Sequence, residues 1–338
     1  MSGTDGKSKI TPTIDLEADG KQFGDLVAPW SRDASAWGSL RVPIAVIGNG
    51  SGPAVLFTGG NHGDEYEGPT ALMNLARELE AGAVQGRVIV MPMLNFPAVE
   101  AGRRTSPIDG GNMNRAFPGR RDGTLTEQVA HFVTTEILPL VDAVVDLHSG
   151  GRTLYFSPFG AVHALPDADQ SAGARAALSA FAPPIALTLV ELDAEGMLDT
   201  TVEEAGKIFV TTELAGGGTA TPATVEIASR GVANILKHLG IIEGTPVMPE
   251  DVGLAPTRWM ETPDDGYVAC RRPGLLEMLV DVGAEVTQGQ PIARVHDITD
   301  LAAEPEVYAA PTTGLLMGRH HPGLIARGDF LALVARDA

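Results

Sequence analysis

Residues 54–68 read AVLFTGGNHGDEYEG, and the order of apolar and polar residues here indicates the fold class. The first part of this stretch, Ala54 to Thr58, is a short apolar run typical of a buried strand. Two glycines follow, which predict the end of the strand and the start of a polar loop. A helix is predicted to open near Pro69, because the fixed φ of proline suits a first helical turn. A strand, a polar loop and a helix in this order favour a mainly parallel sheet covered by helices.

The same alternation extends outward from about residue 40 to residue 240. Val88 to Met93 and Ala143 to Leu147 are two further runs that predict buried strands. Helical periodicity covers roughly Leu125 to Leu138 and Ala223 to Leu239. The second of these helices should end at Gly240, since glycine suits a helix C-cap. These elements predict an α/β fold for the first part of the chain.

After about residue 245 the pattern changes to short alternating strands separated by Gly and Pro turns, which predicts a β domain. This part contains a weak internal repeat. The repeat aligns Gly274, Gly283 and Gly289 with Gly314, Gly323 and Gly328. Two such halves resemble the barrel-sandwich fold of biotinyl and lipoyl carrier domains. A carrier function is excluded, because those domains need a lysine at a hairpin tip and no lysine follows Lys237.

Composition limits the partners of the 338-residue chain. Its 24 Lys and Arg against 43 Asp and Glu give a formal net charge of −19, and no basic run forms a patch. We therefore expect neither nucleic acid nor a membrane as a partner, because both need local positive charge. The polar first residues lack a secretion signal, and no run of 18 apolar residues is free of charge, so we expect a cytoplasmic protein.

A metal site is predicted where the first strand ends. His62 and Glu65 lie three residues apart on the glycine-flanked loop, and His148 ends another predicted strand. Carboxyl ends of parallel strands share one edge of a sheet, where ligands bind. Two His and one Glu form a catalytic zinc set that leaves a fourth position to water. The lone Cys270 cannot build a thiolate site. A single His near a strand end is more often packed or solvated, so the prediction rests on the three residues together.

Four motifs resemble the succinylglutamate desuccinylase/aspartoacylase family, which is related to the zinc carboxypeptidases. In chain order they are Gly60 to Glu65, Asn112 to Gly119, Asp146 to His148 and Thr212 to Leu214. The resemblance implies a zinc carboxypeptidase-like catalytic domain over residues 1–245, with a mixed, mainly parallel sheet flanked by helices. It implies an all-β barrel-sandwich domain over residues 246–338.

The resemblance also implies roles for single residues. His62, Glu65 and His148 would hold one Zn²⁺ per chain, and Glu213 would act as general base and then general acid. Zinc lowers the pKa of its bound water from 15.7 to about 7, which suits hydrolysis of an amide. Glu213 would take the water proton and deliver it to the departing nitrogen. The expected enzyme is a zinc-dependent amidohydrolase.

Further residues follow from the same comparison of motifs. Arg104 matches an arginine that polarises the scissile carbonyl, with the adjacent Arg103 as an alternative because the insert before Asn114 leaves the position open. Asn114 and Arg115 match a pair that clamps the substrate carboxylate, for which a planar guanidinium is well suited. Asp146 lies two residues before His148 on a predicted strand; it either orients the imidazole or faces a helix.

The motifs are compatible with three functions, and in the first two the partner is a small N-acyl amino acid. Residues 31–38, 104–111 and 211–214 are similar to those of family members that deacetylate N2-acetyl-L-2,4-diaminobutyrate in ectoine degradation. A succinylglutamate desuccinylase or aspartoacylase is the alternative. A non-catalytic metal-binding module is the third hypothesis, and it has no need of Glu213. The resemblance leads us to expect a homodimer.

The substrate of the first hypothesis carries an ammonium group that needs an acidic partner. Candidates are Glu191, Asp193 and Glu195, in an acidic loop before Glu213. Acidic loops in so negative a chain are more often simply solvated.

Overall fold

The computed structural model describes residues 7–189 and 195–338. They fold into a large mixed sheet covered by helices, followed by an antiparallel β unit. The strands are β1 (Thr11–Pro12), β2 (Gly20–Pro29), β3 (Ser39–Asn49), β4 (Ala54–Gly59), β5 (Gly86–Met91), β6 (Ala143–His148), β7 (Leu154–Phe156), β8 (Phe159–His163), β9 (Ile185–Leu189), β10 (Ile208–Glu213), β11 (Arg258–Glu261), β12 (Tyr267–Ala269), β13 (Gly274–Met278), β14 (Glu285–Val286), β15 (Pro291–His296), β16 (Glu306–Ala309), β17 (Gly314–His320), β18 (Leu324–Ile325) and β19 (Phe330–Asp337).

The α-helices are α1 (Glu67–Glu78), α2 (Phe96–Ala101), α3 (Leu125–Phe132), α4 (Ala168–Phe181), α5 (Leu198–Glu204) and α6 (Pro222–His238). Short 3₁₀ turns and one π turn cover Ala81–Ala83, Met113–Arg115, Val133–Ile137, Leu138–Leu140 and Pro249–Val252. Over the described residues, every helix is too short or too polar to cross a lipid bilayer.

The large sheet has the order β1-β2-β3-β5-β4-β6-β10-β8-β9-β11-β19-β17-β14 along its path. Strands β5, β4, β6 and β10 run parallel to one another and form its centre. Strands β3 and β8 are antiparallel to this group and flank it. The carboxyl ends of four central strands therefore meet at one edge, as the sequence predicted.

Both faces of the central sheet are buried. Successive side chains of a strand point to opposite faces, and β4 follows this rule: Val55 and Phe57 belong to the core cluster that includes Leu72 of α1. Leu56, between them, belongs to the cluster that includes Phe132 of α3. Near-continuous apolar runs are the expected sequence of such doubly covered strands. The predicted α/β fold class is confirmed.

Two predicted elements differ in detail. The strand predicted to reach Met93 ends at Met91, because Pro92 has no N–H for the strand ladder. The long helix predicted from Leu125 changes after Phe132 into a π turn and a 3₁₀ turn. Thr134 and Thr135 in that segment donate their hydroxyl hydrogens to carbonyl oxygens four residues earlier, at 3.0 and 2.8 Å. Such back-bonding competes with regular helical bonding.

The β unit reproduces the repeat seen in the sequence. Its two halves are β13-β14-β15 and β17-β18-β19, and they exchange strands: β14 pairs with β17, and β18 pairs with β13. The register is symmetric, since Leu275 faces Leu324 as Leu315 faces Glu285. The barrel-sandwich expectation is confirmed. Strand β11 joins β9 of the large sheet and also pairs with β19, and the boundary at residues 245/246 stays a prediction.

Candidate metal centre

The register of three neighbouring strands brings the candidate residues together. Gly59, the last residue of β4, lies beside Leu147 of β6, and His148 lies beside Glu213 of β10. The loop after β4 carries His62, so that loop, His148 and Glu213 share one edge of the sheet. Residues that are 151 positions apart in the chain, from 62 to 213, meet there because parallel strands align their carboxyl ends.

The loop after β4 is held tightly against α2. A Cβ atom on Gly63 would lie only 1.9 Å from the carbonyl carbon of Ala98, so this position requires glycine. The Gly63 N–H donates to the carbonyl oxygen of Arg103 at 3.0 Å. The close packing fixes the segment on which His62 and Glu65 sit. This explains why a glycine stands between polar residues in the segment after β4.

Over the described ranges, His62, Glu65 and His148 form a cluster whose potential ligand atoms all lie within 4.8 Å of one another. The Nδ1 atom of His62 lies 2.7 Å from Oε1 of Glu65, and Nδ1 of His148 lies 2.9 Å from Oε2. The three residues are only 4%, 2% and 7% exposed in chain order. One carboxylate thus faces two imidazole nitrogens in a shielded position, which is a donor set that suits a divalent cation.

Both histidines are also held through Nε2, the ring nitrogen that does not face Glu65. Nε2 of His62 lies 3.2 Å from Oδ1 of Asn112, and Nε2 of His148 lies 2.9 Å from Oδ2 of Asp146. Both oxygens can accept a hydrogen bond from Nε2, and with a metal bound Nδ1 of each neutral ring would be the ligand atom. This arrangement is typical of metal-binding histidines. The donor set therefore fits a metal ion.

Asp146 is itself anchored. Its Oδ1 accepts a hydrogen bond from the hydroxyl of Thr58 at 2.7 Å, and its Oδ2 accepts one from the side-chain amide of Asn61 at 2.9 Å. The Asp146 carboxylate is 1% exposed. Of the two alternatives for Asp146, the structure favours the one in which it orients the imidazole of His148.

The electrostatics of the cluster favour a cation. Burial acts to raise the pKa of Glu65, but the adjacent His62 and His148 outweigh it and hold that pKa far below its usual range. Burial likewise opposes the charged form of His148, and Asp146 and Glu65 overcome this and raise its pKa. Two buried carboxylates around one imidazole leave negative charge that a divalent ion would neutralise.

Glu213 lies beside this cluster at the end of β10. Burial, followed by repulsion from Glu65, raises the pKa of Glu213 to about 8, although His148 and Arg104 act in the opposite direction. Its Oε2 atom is shielded from solvent and has no hydrogen-bond partner among the described residues. A carboxyl group in this setting can exchange a proton near neutral pH, as a general base and acid requires.

A cavity of about 380 Å³ opens over the cluster. Arg104 lines it, and its Nη1 lies 4.0 Å from Oε1 of Glu65. Arg103 is not among the lining residues and offers its backbone oxygen to Gly63. The structure therefore favours Arg104 over Arg103 for the role of facing the carbonyl.

Asn114 and Arg115 line the same cavity. The Oδ1 atom of Asn114 accepts a hydrogen bond from the backbone N–H of Leu198 at 3.2 Å, which ties this segment to the start of α5. Arg115 donates from Nη1 to the carbonyl oxygen of Asn114 at 2.6 Å. Both candidate clamp residues thus lie in the wall of the cavity that opens over the cluster.

The sequence predicted no role for three polar residues that lie at this site. Asn112 holds His62, Thr58 holds Asp146, and Asp199 of α5 lines the cavity at 6% exposure. Asn112 belongs to the motif from Asn112 to Gly119, and Thr58 ends a predicted strand. Their position next to candidate site residues in the sequence was therefore the signal that could have identified them. For Asp199 the sequence held no such signal.

The acidic loop offered for the substrate ammonium is only partly described. Glu191 and Asp193 lie outside the described residues. Glu195 is exposed and lines a neighbouring cleft rather than the cavity.

Fold and site together define a class: a hydrolase built on a mixed, mainly parallel sheet, with a buried His₂Glu cluster that could hold a metal ion beside a shielded glutamate. The profile of the Succinylglutamate desuccinylase/Aspartoacylase catalytic domain matches residues 51–239, more than half of the chain. The chain belongs to the succinylglutamate desuccinylase/aspartoacylase family, so the predicted family and its amidohydrolase character are confirmed.

Individual members of the family show which of its proteins this chain resembles. The chain is 50% identical over 334 residues to the N-alpha-acetyl-L-2,4-diaminobutyric acid deacetylase of Halomonas elongata, covering 98% of this chain and 96% of that protein. A product-bound structure of the ectoine utilization protein EutE (DoeB) from Ruegeria pomeroyi aligns with a TM-score of 0.94 at 48% identity, covering 98% of this chain and all of that one. A structure named a succinylglutamate desuccinylase, from Silicibacter sp. TM1040, aligns with the same TM-score at 46% identity and the same coverage.

Proposed function

We propose that this protein is a zinc-dependent deacetylase that hydrolyses N2-acetyl-L-2,4-diaminobutyrate to diaminobutyrate and acetate in ectoine degradation. The observation that carries the chemistry is the buried cluster of His62, Glu65 and His148 beside Glu213. The observation that supports the substrate is the 50% identity, over nearly the whole chain, to a deacetylase of that compound.

The three clustered side chains would hold one Zn²⁺ per chain. When bound, zinc would act as a Lewis acid that lowers the pKa of water, so that a hydroxide nucleophile is available near neutral pH. Glu213 would accept the proton of the attacking water on its shielded carboxylate and deliver it to the departing nitrogen. Arg104 would face the carbonyl oxygen as it gains negative charge; removing one such stabiliser typically costs about 10²- to 10³-fold in turnover.

Asn114 and Arg115 would bind the substrate carboxylate. Arg115 can offer two parallel N–H groups to a carboxylate, and Asn114 adds a neutral donor. Asn112 and Asp146 would keep His62 and His148 in the orientation that presents Nδ1 inward. The homodimer and the cytoplasmic location stay predictions.

The charges that line the cavity favour this substrate over a succinylated one. Among the described lining residues, Arg104 and Arg115 are the arginine or lysine side chains. N-succinylglutamate carries three carboxylates, so an anionic acyl tail would need a further cation. N2-acetyl-diaminobutyrate carries one carboxylate and one ammonium. Its acyl group is neutral and needs no such partner.

The test is a comparison of acyl substrates with zinc-loaded protein. Release of acetate from N2-acetyl-L-2,4-diaminobutyrate should exceed release from N-acetylaspartate, and release of succinate from N-succinylglutamate, by about 10²-fold in kcat/KM. Preferred release of succinate would replace the proposal with a desuccinylase. Absence of turnover with every substrate, in protein that binds zinc, would favour the non-catalytic module.

A further inference from the structure

The proposed substrate brings a side-chain ammonium into the cavity. A buried ammonium without an opposite charge is strongly unfavourable, because it loses the hydration it has in water. A carboxylate at the cavity wall would compensate this loss and would reject analogues that lack the ammonium. The residue that supplies it decides which N-acyl amino acid is accepted.

Four carboxylate residues line the cavity over the described part of the chain: Glu65, Asp146, Asp199 and Glu213. Glu65 is engaged with both histidines, and Asp146 uses both of its oxygens to hold His148, Thr58 and Asn61. Glu213 is needed as the proton acceptor. Asp199 is the lining carboxylate to which the hydrolysis itself assigns no task.

The residue before Asp199 in the chain contacts the proposed carboxylate clamp. Asp199 is the second residue of α5, and the N–H of the preceding residue, Leu198, donates to Oδ1 of Asn114. In diaminobutyrate only three carbon atoms separate the carboxylate carbon from the ammonium nitrogen. A site for the ammonium must therefore adjoin the site for the carboxylate, and the tie between α5 and Asn114 fulfils this condition.

The Asp199 carboxylate is oriented in advance. It is 6% exposed, and Oδ1 accepts hydrogen bonds from the backbone N–H of Thr200 at 2.5 Å and from its hydroxyl at 3.2 Å. An ordered, buried acceptor loses less entropy on binding than a mobile surface acid.

We infer that Asp199 binds the side-chain ammonium of the substrate and is thereby a specificity-determining residue of the deacetylase. The inference rests on the proposed function, because it takes diaminobutyrate as the amino acid. It differs from the acidic loop suggested by the sequence, since Asp199 follows that loop in the chain. The competing interpretation is that Asp199 only stabilises the first turn of α5.

The experiment compares two substrates that differ only in the amino group. Wild-type holoenzyme, Asp199→Asn and Glu204→Gln are assayed with N2-acetyl-L-2,4-diaminobutyrate and with N-acetyl-L-2-aminobutyrate. Asparagine keeps the acceptor for Thr200 while removing the charge. Glu204 is an exposed acid at the other end of α5, so Glu204→Gln is a matched control for loss of one negative charge.

We expect Asp199→Asn to lose about 10²-fold in kcat/KM for the ammonium substrate, mainly through KM, and to change less than about threefold for the neutral analogue. Glu204→Gln should match wild type with both substrates. Equal losses on both substrates would overturn the inference in favour of a structural role, and retention of the wild-type preference would overturn it outright. A wild-type enzyme without preference for the ammonium substrate would instead overturn the proposed substrate, and this inference with it.

Discussion

The two walls of the cavity are built in different ways. On the sheet wall, His62, Glu65 and His148 are almost fully buried, and each histidine is held by a second hydrogen bond. On the opposite wall, the side chain of Arg104 is 51% exposed and Arg115 is exposed too. The sheet wall is positioned by strand register and by the packed loop after β4, whereas the opposite wall is carried by loops and by the short helix α5.

Apart from Arg104, which would face the scissile carbonyl, this difference separates the groups that carry out hydrolysis from the groups that recognise the amino acid. Groups that must keep their geometry during hydrolysis sit on strand ends and on a loop packed against α2. Groups that select the amino acid sit on segments that can vary without disturbing the metal cluster. A family can thereby keep one hydrolytic centre while its members act on different acyl amino acids. Substitutions and metal removal can test this division between hydrolysis and recognition.

Removal of the proposed metal should have the largest effect, because His62, Glu65 and His148 of the sheet wall would all bind it. Dialysis against a chelator should abolish amide hydrolysis, and the melting temperature should fall, since an ion that binds only the folded state stabilises it. Added Zn²⁺ should restore both, as measured by acetate release and by thermal unfolding. Full activity in protein whose zinc content has been shown to be negligible would contradict the division.

Glu213→Gln should come next. The variant keeps the shape of the side chain but cannot accept a proton, so kcat should fall by about 10³-fold while KM changes little. Zinc content, measured by elemental analysis, should remain that of the wild type. Near-normal kcat in this variant would remove Glu213 from the mechanism.

Asp146→Asn should weaken metal binding by about 10- to 100-fold, because the anionic partner of His148 is lost while an acceptor for Thr58 is kept. Competition with a chromogenic chelator measures the dissociation constant. Asp169→Asn, which removes an exposed carboxylate from α4, is the matched control and should bind zinc like the wild type. An unchanged affinity in Asp146→Asn would show that the hydrogen bond to His148 does not matter.

Arg115→Lys should have the smallest effect and should act on recognition alone. Lysine keeps the charge but cannot form two parallel hydrogen bonds with a carboxylate, so KM should rise about tenfold at unchanged kcat. Steady-state kinetics with N2-acetyl-L-2,4-diaminobutyrate measure both constants. A fall in kcat without a change in KM would place Arg115 in the chemistry and contradict the division of the two walls.

The sequence predicted the sheet wall far better than the opposite wall, for physical reasons. Buried parallel strands leave continuous apolar runs, so the strand ends that carry His148 and the loop of His62 could be placed from local patterns. Their meeting followed from the rule that carboxyl ends of parallel strands share an edge. The role of Glu213 came from family resemblance, since an acid after a strand is by itself uninformative.

The rest depends on contacts between distant segments. Asn112 reaches His62 across 50 residues, and Asn114 reaches the start of α5 across 84. Neither contact follows from periodicity or from turn chemistry, because loop paths are set by packing. Asp199 was overlooked for this reason: only the docking of α5 on the Asn114 segment brings it to the cavity.

We propose that His62, Glu65 and His148 share one zinc ion, and diffraction data collected on both sides of the zinc absorption edge, from crystals of the protein as purified, can test this. We expect one anomalous peak per chain, at about 2.0–2.2 Å from Nδ1 of each histidine and from a carboxylate oxygen of Glu65. A peak elsewhere, with these three side chains bonded only to one another, would contradict it.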